Sequence, residues 1–457
     1  MKYIKNLILF YLAFVINFIL NFALIKILTN FLDQDTLGKF FFVSNLGLFV
    51  GGILLLGFPL IFQRYISIYL RDNNRAKAMT LIHLPAIIHF ATGLFLSIPL
   101  LILKGSTNAI IFFAFFLANT ITLYQTALIS EARILEYFLT TSPRLLLIAI
   151  SIFIIRQSLN LASLAFINLT FNTAFLLINF TLFPLVLTDW KEVVRDIKDY
   201  WKFSFLTQVL SPFFFYIDSV LIPLLLPFRD LATFQISRKL DMGARQTLEV
   251  PLQLTAPLIS FKKTDELLTQ DFAMKYRAFR TFYFYLALLW FLIFQFSGKF
   301  IITLISSSQF LNAYPYLLIL SFTLLISSIY APDAMLARAT GNIKLFFLKD
   351  LVYIAVFLIS YFPLTWKLKL PGVAISFLTA TCVTTFFHIK SFKVLHDLEY
   401  LFDVTKIFVL GIQALNFALR GSSWVSILTI LTLLIIDFKN LKNAIIIILA
   451  SLRRKET

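Results

Sequence analysis

The sequence predicts an all-α polytopic membrane protein, and three observations carry that reading. Of 457 residues, 60% are hydrophobic and only 14% are charged, against roughly 25% charged in a soluble domain. The apolar residues come in repeated runs of about 18–25, the length that crosses a hydrocarbon core as a helix. Strands of a transmembrane barrel would instead alternate over segments of about ten residues.

Spans fall near 5–28, 38–61, 81–103, 109–131, 142–156, 161–187, 203–227, 231–260, 281–304, 313–336, 348–366, 371–390, 404–420 and 422–437, about fourteen transmembrane helices in all. The fifth, thirteenth and fourteenth are short. The opening stretch MKYIKNLILFYLAFVINFILNFALIKIL has the basic start of a signal peptide. Its apolar run is too long for one and lacks a small-residue cleavage site, so it reads as an uncleaved first span.

With both termini cytoplasmic, every second connection lies on one side. Those connections include QRYISIYLRDNNRAKAMT, TDWKEVVRDIKDYWK and FKKTDELLTQDFAMKYRAFR, and with the tail they carry most of the 40 Lys and Arg residues. That asymmetry is the positive-inside pattern of a cytoplasmic (inner) cell membrane protein. The net charge of +17 is then explained by topology and by contact with anionic headgroups of the lipid bilayer, with no nucleic-acid partner. No connection is long enough for a folded extramembrane domain. Segments such as WKEVVRDIKDYWKFSF read as short amphipathic helices at the membrane surface.

A weak internal repeat lays LGKFFFVSNLG (Leu37–Gly47) over LATFQISRKLD (Leu231–Asp241), with Pro59 in the first copy and Pro251 and Pro257 in the second. Related halves are common in secondary transporters. The expected organisation is two pseudo-symmetric six-helix lobes, 1–190 and 191–400, followed by two additional helices and a basic tail over 401–457.

ISRKLDMGARQTLEVP (Ile236–Pro251) sets the densest charge cluster where the eighth span ought to be. On a helix, Arg238, Asp241, Arg245 and Glu249 fall within about 80° of one another. They form a stripe of alternating sign at spacings of three and four, with Lys239 beside it and Gln235 and Gln246 at its edge. Five charges facing lipid would cost on the order of 12–17 kcal/mol, so the stripe must face protein or water. It is either a salt-bridge ladder that locks helix packing or the wall of a hydrated cavity for an anionic substrate. Three cations against two carboxylates suit a phosphate-bearing ligand, which Arg grips with two parallel hydrogen bonds.

Asp218 is a lone acid amid apolar residues and reads either as functional or as a hydrogen-bonded structural carboxyl; with Asp241 and Glu249 it is a candidate for charge pairing or for exchanging protons or binding sodium. Lys26 and Lys39 flank the first outer connection and are read either as snorkelling or as cavity cations. Arg64 ends the second span at its cytoplasmic mouth as a topology signal or a gate. Asn17, Asn21, Asn119, Asn168, Asn172 and Asn179 read as helix-to-helix glue. The single cysteine, Cys382, reads as a packed core thiol. His83, His89, His388 and His396 lack metal-ligand spacing and take core or interfacial roles. No Walker loop is present, and no cofactor is expected.

LTNFLDQDTLGKFFFVSNLGLFVGGILLLGFPLIFQRYIS resembles the first two helices of polysaccharide transporters, the O-antigen flippase type within the multidrug/oligosaccharidyl-lipid/polysaccharide (MOP) superfamily. FYIDSVLIPLLLPFRDLATFQISRKLD resembles their seventh and eighth helices, and MLARATGNIK the end of their tenth. The resemblance implies a MATE/MOP-like pair of lobes around a central cavity. It implies a flippase moving a polyprenyl-diphosphate-linked oligosaccharide between leaflets by alternating access. It also implies a monomer working beside a glycan polymerase or glycosyltransferases. Arg238, Lys239, Arg245, Arg64, Lys39 and Lys26 would then meet substrate. A cation-coupled multidrug or metabolite exporter of the same fold is the alternative. A membrane-embedded glycan-processing enzyme ranks below both, because such enzymes usually need a sizeable extramembrane loop carrying catalytic carboxylates or a metal site.

Overall fold

A computed structural model describes residues 2–186, 188, 190–260, 270–333, 343–391, 409 and 411–413. The described residues are helical almost throughout: α1 (Lys2–Phe31), α2 (Gln34–Leu54), α3 (Phe58–Arg71), α4 (Arg75–Lys104), α5 (Ser106–Ser130), α6 (Ile134–Ile154), α7 (Leu161–Thr181), α8 (Trp190–Leu225), α9 (Phe228–Ser260), α10 (Gln270–Ile305), α11 (Tyr314–Ser327), α12 (Ile343–Leu368) and α13 (Leu370–Ser391). Eleven of the described helical segments are long and apolar enough to cross a membrane. The all-α multi-span class predicted from sequence is what the chain adopts. The thirteenth and fourteenth spans lie outside the described residues apart from 409 and 411–413, so the described helices do not extend to a count of fourteen.

The second span is the main departure from expectation. A single helix over 38–61 is replaced by α2 and α3, because Leu56 (φ 53°) and Gly57 (φ 87°) turn the backbone left-handed. Gly57 tolerates that conformation without a Cβ penalty, and Pro59 lies at the start of α3, where a missing N–H costs nothing. Breaking a helix strands its last carbonyls, and neighbouring helices answer them. His89 Nε2 meets the Gly51 carbonyl at 3.0 Å, Gln208 Nε2 donates to Gly52 at 3.2 Å, and Trp201 Nε1 donates to Leu56 at 2.8 Å. A carbonyl can only accept, so His89 carries its proton on Nε2, which leaves Nδ1 to accept from the Thr120 hydroxyl at 2.8 Å.

Helix α3 is amphipathic, burying Phe58, Ile61, Phe62, Ile66 and Tyr69 at helical spacing. It is too short to span. The segment 190–202, expected to lie apart at the membrane surface, instead continues without interruption into the seventh span as α8. Lys77 on α4 holds it there through Asp196 at 2.9 Å and Glu192 at 3.3 Å.

By contact the chain divides into two compact units: 1–236 with 302–313 and 364–373, and 237–301 with 314–363 and 374–457. In the first, α2 packs on the start of α9 so closely that a Cβ on Gly38 would fall on the Phe228 backbone carbonyl. An interior of Phe62, Tyr124, Ile82 and Leu128, all 2% exposed or less, lies behind α3.

Large apolar side chains also face outward, including Phe95 (70% exposed), Ile102 (77%) and Trp366 (76%). Hydrocarbon solvates such groups as well as a protein core does, so apolar context does not imply burial in this chain. Cys382 illustrates the point: expected in the core, it is exposed. His83, His89 and His388 are buried; His396 lies outside the described residues.

Candidate functional site

The charged stripe of the eighth span is helical in α9, as its spacing requires, and its members meet in the second unit. Arg238 Nη1 and Arg245 Nε both donate to Asp241 Oδ2, at 2.9 and 2.8 Å. The contacts run i to i+3 and i to i+4 along one helix face. Arg245 extends the network to α11, with Nη2 donating to Thr323 at 2.7 Å and Nη1 to Ser327 at 3.3 Å. The Arg238 guanidinium also stands 4.7 Å from the Phe377 ring centre, a cation–π contact. The Asp241 side chain is fully buried and Arg238 is 6% exposed, whereas 26% of Arg245 is accessible. The stripe is therefore a ladder, and its three described members are not neutral together. Two guanidiniums share one carboxylate and leave one positive charge over, displayed on Arg245. Lys239, next to Arg238 in the chain, is half-buried. The Glu249 side chain lies outside the described residues.

A second polar group in the same unit escaped the sequence reading. Asp333 accepts from the Tyr276 hydroxyl at 2.8 Å, stands 3.4 Å from Arg280 Nε and lies 3.7 Å from His388 Nε2. Lys349 pairs with Asp350 at 2.9 Å and lies 5.3 Å from the Tyr330 ring. These residues come from helix ends far apart in sequence, which single-chain periodicity does not connect.

Asp218 belongs to the first unit and is sealed, with no accessible surface. It accepts from Gln235 Nε2 at 2.9 Å. Gln235 also donates to Ser219 at 2.8 Å, while Asn45 donates to Ser219 at 2.8 Å and to Gln235 Oε1 at 3.3 Å. Gln235, expected at the edge of the stripe, is thus part of a buried amide–hydroxyl–carboxyl network joining α2, α8 and α9. Asn45, which the repeat sets opposite Lys239, is a member of that network.

The remaining cations take other places. Lys26 Nζ donates to the carbonyls of Thr303 at 2.7 Å and Ser306 at 2.6 Å, at the end of α10. Lys39 is exposed on α2. Arg64 is exposed on α3, with its guanidinium 4.9 Å above the Tyr200 ring and 5.8 Å from that of Tyr65.

No protein-family model matches this chain, and no curated protein matches it. Solved structures do. An inward-facing multidrug resistance MATE family transporter of the MOP superfamily superimposes with a TM-score of 0.69 at 13% identity, covering 86% of this chain and 99% of the other. A mutant of the Vibrio cholerae MATE transporter VcmN gives 0.58 at 13% identity, over 87% and 98%. A MOP superfamily transporter from Pyrococcus furiosus, described as having a binding pocket of reversed polarity that suggests a different function, gives 0.57 at 13% identity, over 86% and 96%. The chain has the fold of the MATE transporters of the MOP superfamily.

Proposed function

We propose that the chain is a membrane transporter that works by alternating access and carries a polyprenyl-diphosphate-linked oligosaccharide from the cytoplasmic to the outer leaflet. The observation that carries this reading is the surplus charge of the Arg238–Asp241–Arg245 ladder, displayed on an accessible Arg245 within a span. Ionisable side chains inside spans mark substrate or ion pathways by default, and a guanidinium matches the geometry of a diphosphate.

In this reading Arg238, Lys239 and Arg245 hold the diphosphate, while Arg64 attracts it at the cytoplasmic mouth. Asp218, Asp241 and Glu249 are the groups open to proton or sodium coupling. The lobes are 1–190 and 191–400, both termini are cytoplasmic, and the protein acts as a monomer in the inner membrane. Its cargo comes from glycosyltransferases and passes to a polymerase, and the chain itself performs no bond chemistry.

A second reading, a cation-coupled exporter of drugs or metabolites, is supported by the fold shared with multidrug MATE transporters. Cationic drugs call for an acidic pocket, and the charge surplus here has the opposite sign. Reconstituted vesicles decide between the two. Leaflet exchange of a labelled polyprenyl-diphosphate oligosaccharide is expected from the intact chain and is lost in Arg238→Ala or Arg245→Ala at unchanged abundance. Efflux of a cationic dye without such exchange would overturn the flippase reading.

A further inference from the structure

The fifth span carries a charge that no described carboxylate answers. Arg144 is the midpoint of α6, which extends eight residues further toward the N-terminus than hydropathy suggested. Among the described residues its one hydrogen bond runs from Nη1 to Asn172 Oδ1 on α7, at 3.4 Å, the long end of the range. The Asn172 amide is already committed to the Ala114 carbonyl at 2.8 Å. Arg144 Nε is buried without a hydrogen-bond partner, and so are Ser142 Oγ on the same helix and Asn179 Oδ1 on α7.

Other arginines of the chain are treated differently. Arg133, at the start of the same helix, is matched by Glu131, Glu136 and the Leu182 carbonyl. Arg245 engages all three of its nitrogens. A guanidinium left half-satisfied inside a span is costly, and the way it is left is specific. Asn172 takes one corner, which leaves the edge formed by Nε–H and Nη2–H. That edge presents two parallel donors, the side-on fork that binds a carboxylate or phosphate group.

We propose that Arg144 is an oxyanion site inside the first unit, its Nε and Nη2 edge taking a phosphate group in bidentate fashion. The site is separate from the α9 ladder and does not rest on the transport reading. The oxyanion is either free in solution or borne by a lipid headgroup.

The test uses the purified full chain in a background of Arg238→Gln, Asp241→Asn and Arg245→Gln, so that the ladder binds no phosphate. Inorganic phosphate is expected to raise the melting temperature above that in chloride at matched ionic strength and pH. Adding Arg144→Lys, which keeps the charge but lacks the fork, is expected to weaken the phosphate response at least tenfold. If only nanodiscs containing phosphatidylglycerol, and not free phosphate, stabilise the protein that retains Arg144 relative to its Arg144→Lys counterpart, the oxyanion is lipid-borne. Equal responses with and without the Arg144→Lys substitution would leave no role for the fork and overturn the site, as would stabilisation by neither source. Should the variants fail to accumulate, phosphorus–nitrogen recoupling in wild-type protein labelled at arginine Nε reads the contact directly. Absence of any phosphorus beside a buried arginine Nε would then overturn the proposal.

Discussion

Arg245 reaches Asp241 across one helical turn at 2.8 Å, and the two differ sharply in access: Asp241 is sealed while 26% of Arg245 is open. A second guanidinium on the same carboxylate oxygen makes Asp241 the hub of the cluster. Replacing Asp241 with Asn leaves two cations facing each other in a span, and breaking a buried pair in this way costs about 3–5 kcal/mol. Asp241→Asn is therefore expected to lower the unfolding midpoint in detergent strongly. Asp241→Asn with Arg238→Met removes the more deeply buried of the two stranded charges and the repulsion between them, and should recover part of the loss. Failure of the second substitution to rescue the first would show that the ladder does not hold α9 in place.

Two glycines separate steric from conformational constraint. A Cβ at Gly38 meets the Phe228 backbone carbonyl, which has no flexible side chain to yield. Gly38→Ala must push α2 away from α9 and is expected to cost about 1–3 kcal/mol, the range for overpacking. At Gly105 nothing lies within 4 Å, but φ is +85° with ψ at 166°, so Gly105→Ala pays only for a positive-φ extended backbone that is essentially reserved for glycine, about 1–3 kcal/mol. A relaxing substitution on α9 cannot rescue Gly105→Ala, and stability measured for both variants by chemical denaturation in micelles tests the distinction. Equal sensitivity of both variants to changes in α9 would contradict it.

How much of this was legible depends on the distance between partners. The Arg238–Asp241–Arg245 contacts lie within one helix at spacings of three and four, so the stripe was visible as soon as α9 was taken as helical. The Asn45–Ser219–Gln235–Asp218 network joins three helices, and nothing in one sequence says which faces will meet. Arg144 was missed for another reason. Hydropathy set the fifth span to begin at 142, which made Arg144 an end residue; the helix starts at Ile134 and puts it in the middle. The break after α2 had a signal in Gly57 and Pro59, but the continuous apolar run concealed it.

A helix cap outside the spans contributes to stability on the acid side. Asp33 accepts from the Thr36 amide at 2.8 Å and from its hydroxyl at 2.6 Å. The Thr36 hydroxyl and amide bonds together hold the Asp33 carboxyl below the usual carboxylate range. A depressed folded value means that the cap contributes stability above the unfolded value of about 3.9 and loses it as pH falls through the folded one. Asp33→Asn, which keeps a capping oxygen, is expected to flatten the pH dependence below about pH 4 while changing little at neutral pH. Melting curves of both proteins between neutral and acid pH check this; parallel curves would remove Asp33 from the account.

Lys26 yields the last expectation. Its ammonium sits on the Thr303 and Ser306 carbonyls, where the end of α10 concentrates unsatisfied acceptors and partial negative charge. The same end is tied by Gln309, which donates to the Thr29 carbonyl at 3.0 Å, and by Gln34, which donates to the Gln309 carbonyl at 3.1 Å. The segment 302–313 belongs by contact to the first unit although its sequence neighbours belong to the second, so these three side chains anchor it. Lys26→Met removes both ammonium bonds and the favourable charge, an expected loss of about 1–2 kcal/mol. Amide hydrogen exchange should then rise in 302–313 first, because an anchored segment opens locally before the whole chain unfolds. Lys26→Arg keeps charge and donors and should retain most of the protection. Unchanged exchange in Lys26→Met would mean that the glutamine pair alone suffices to hold the segment.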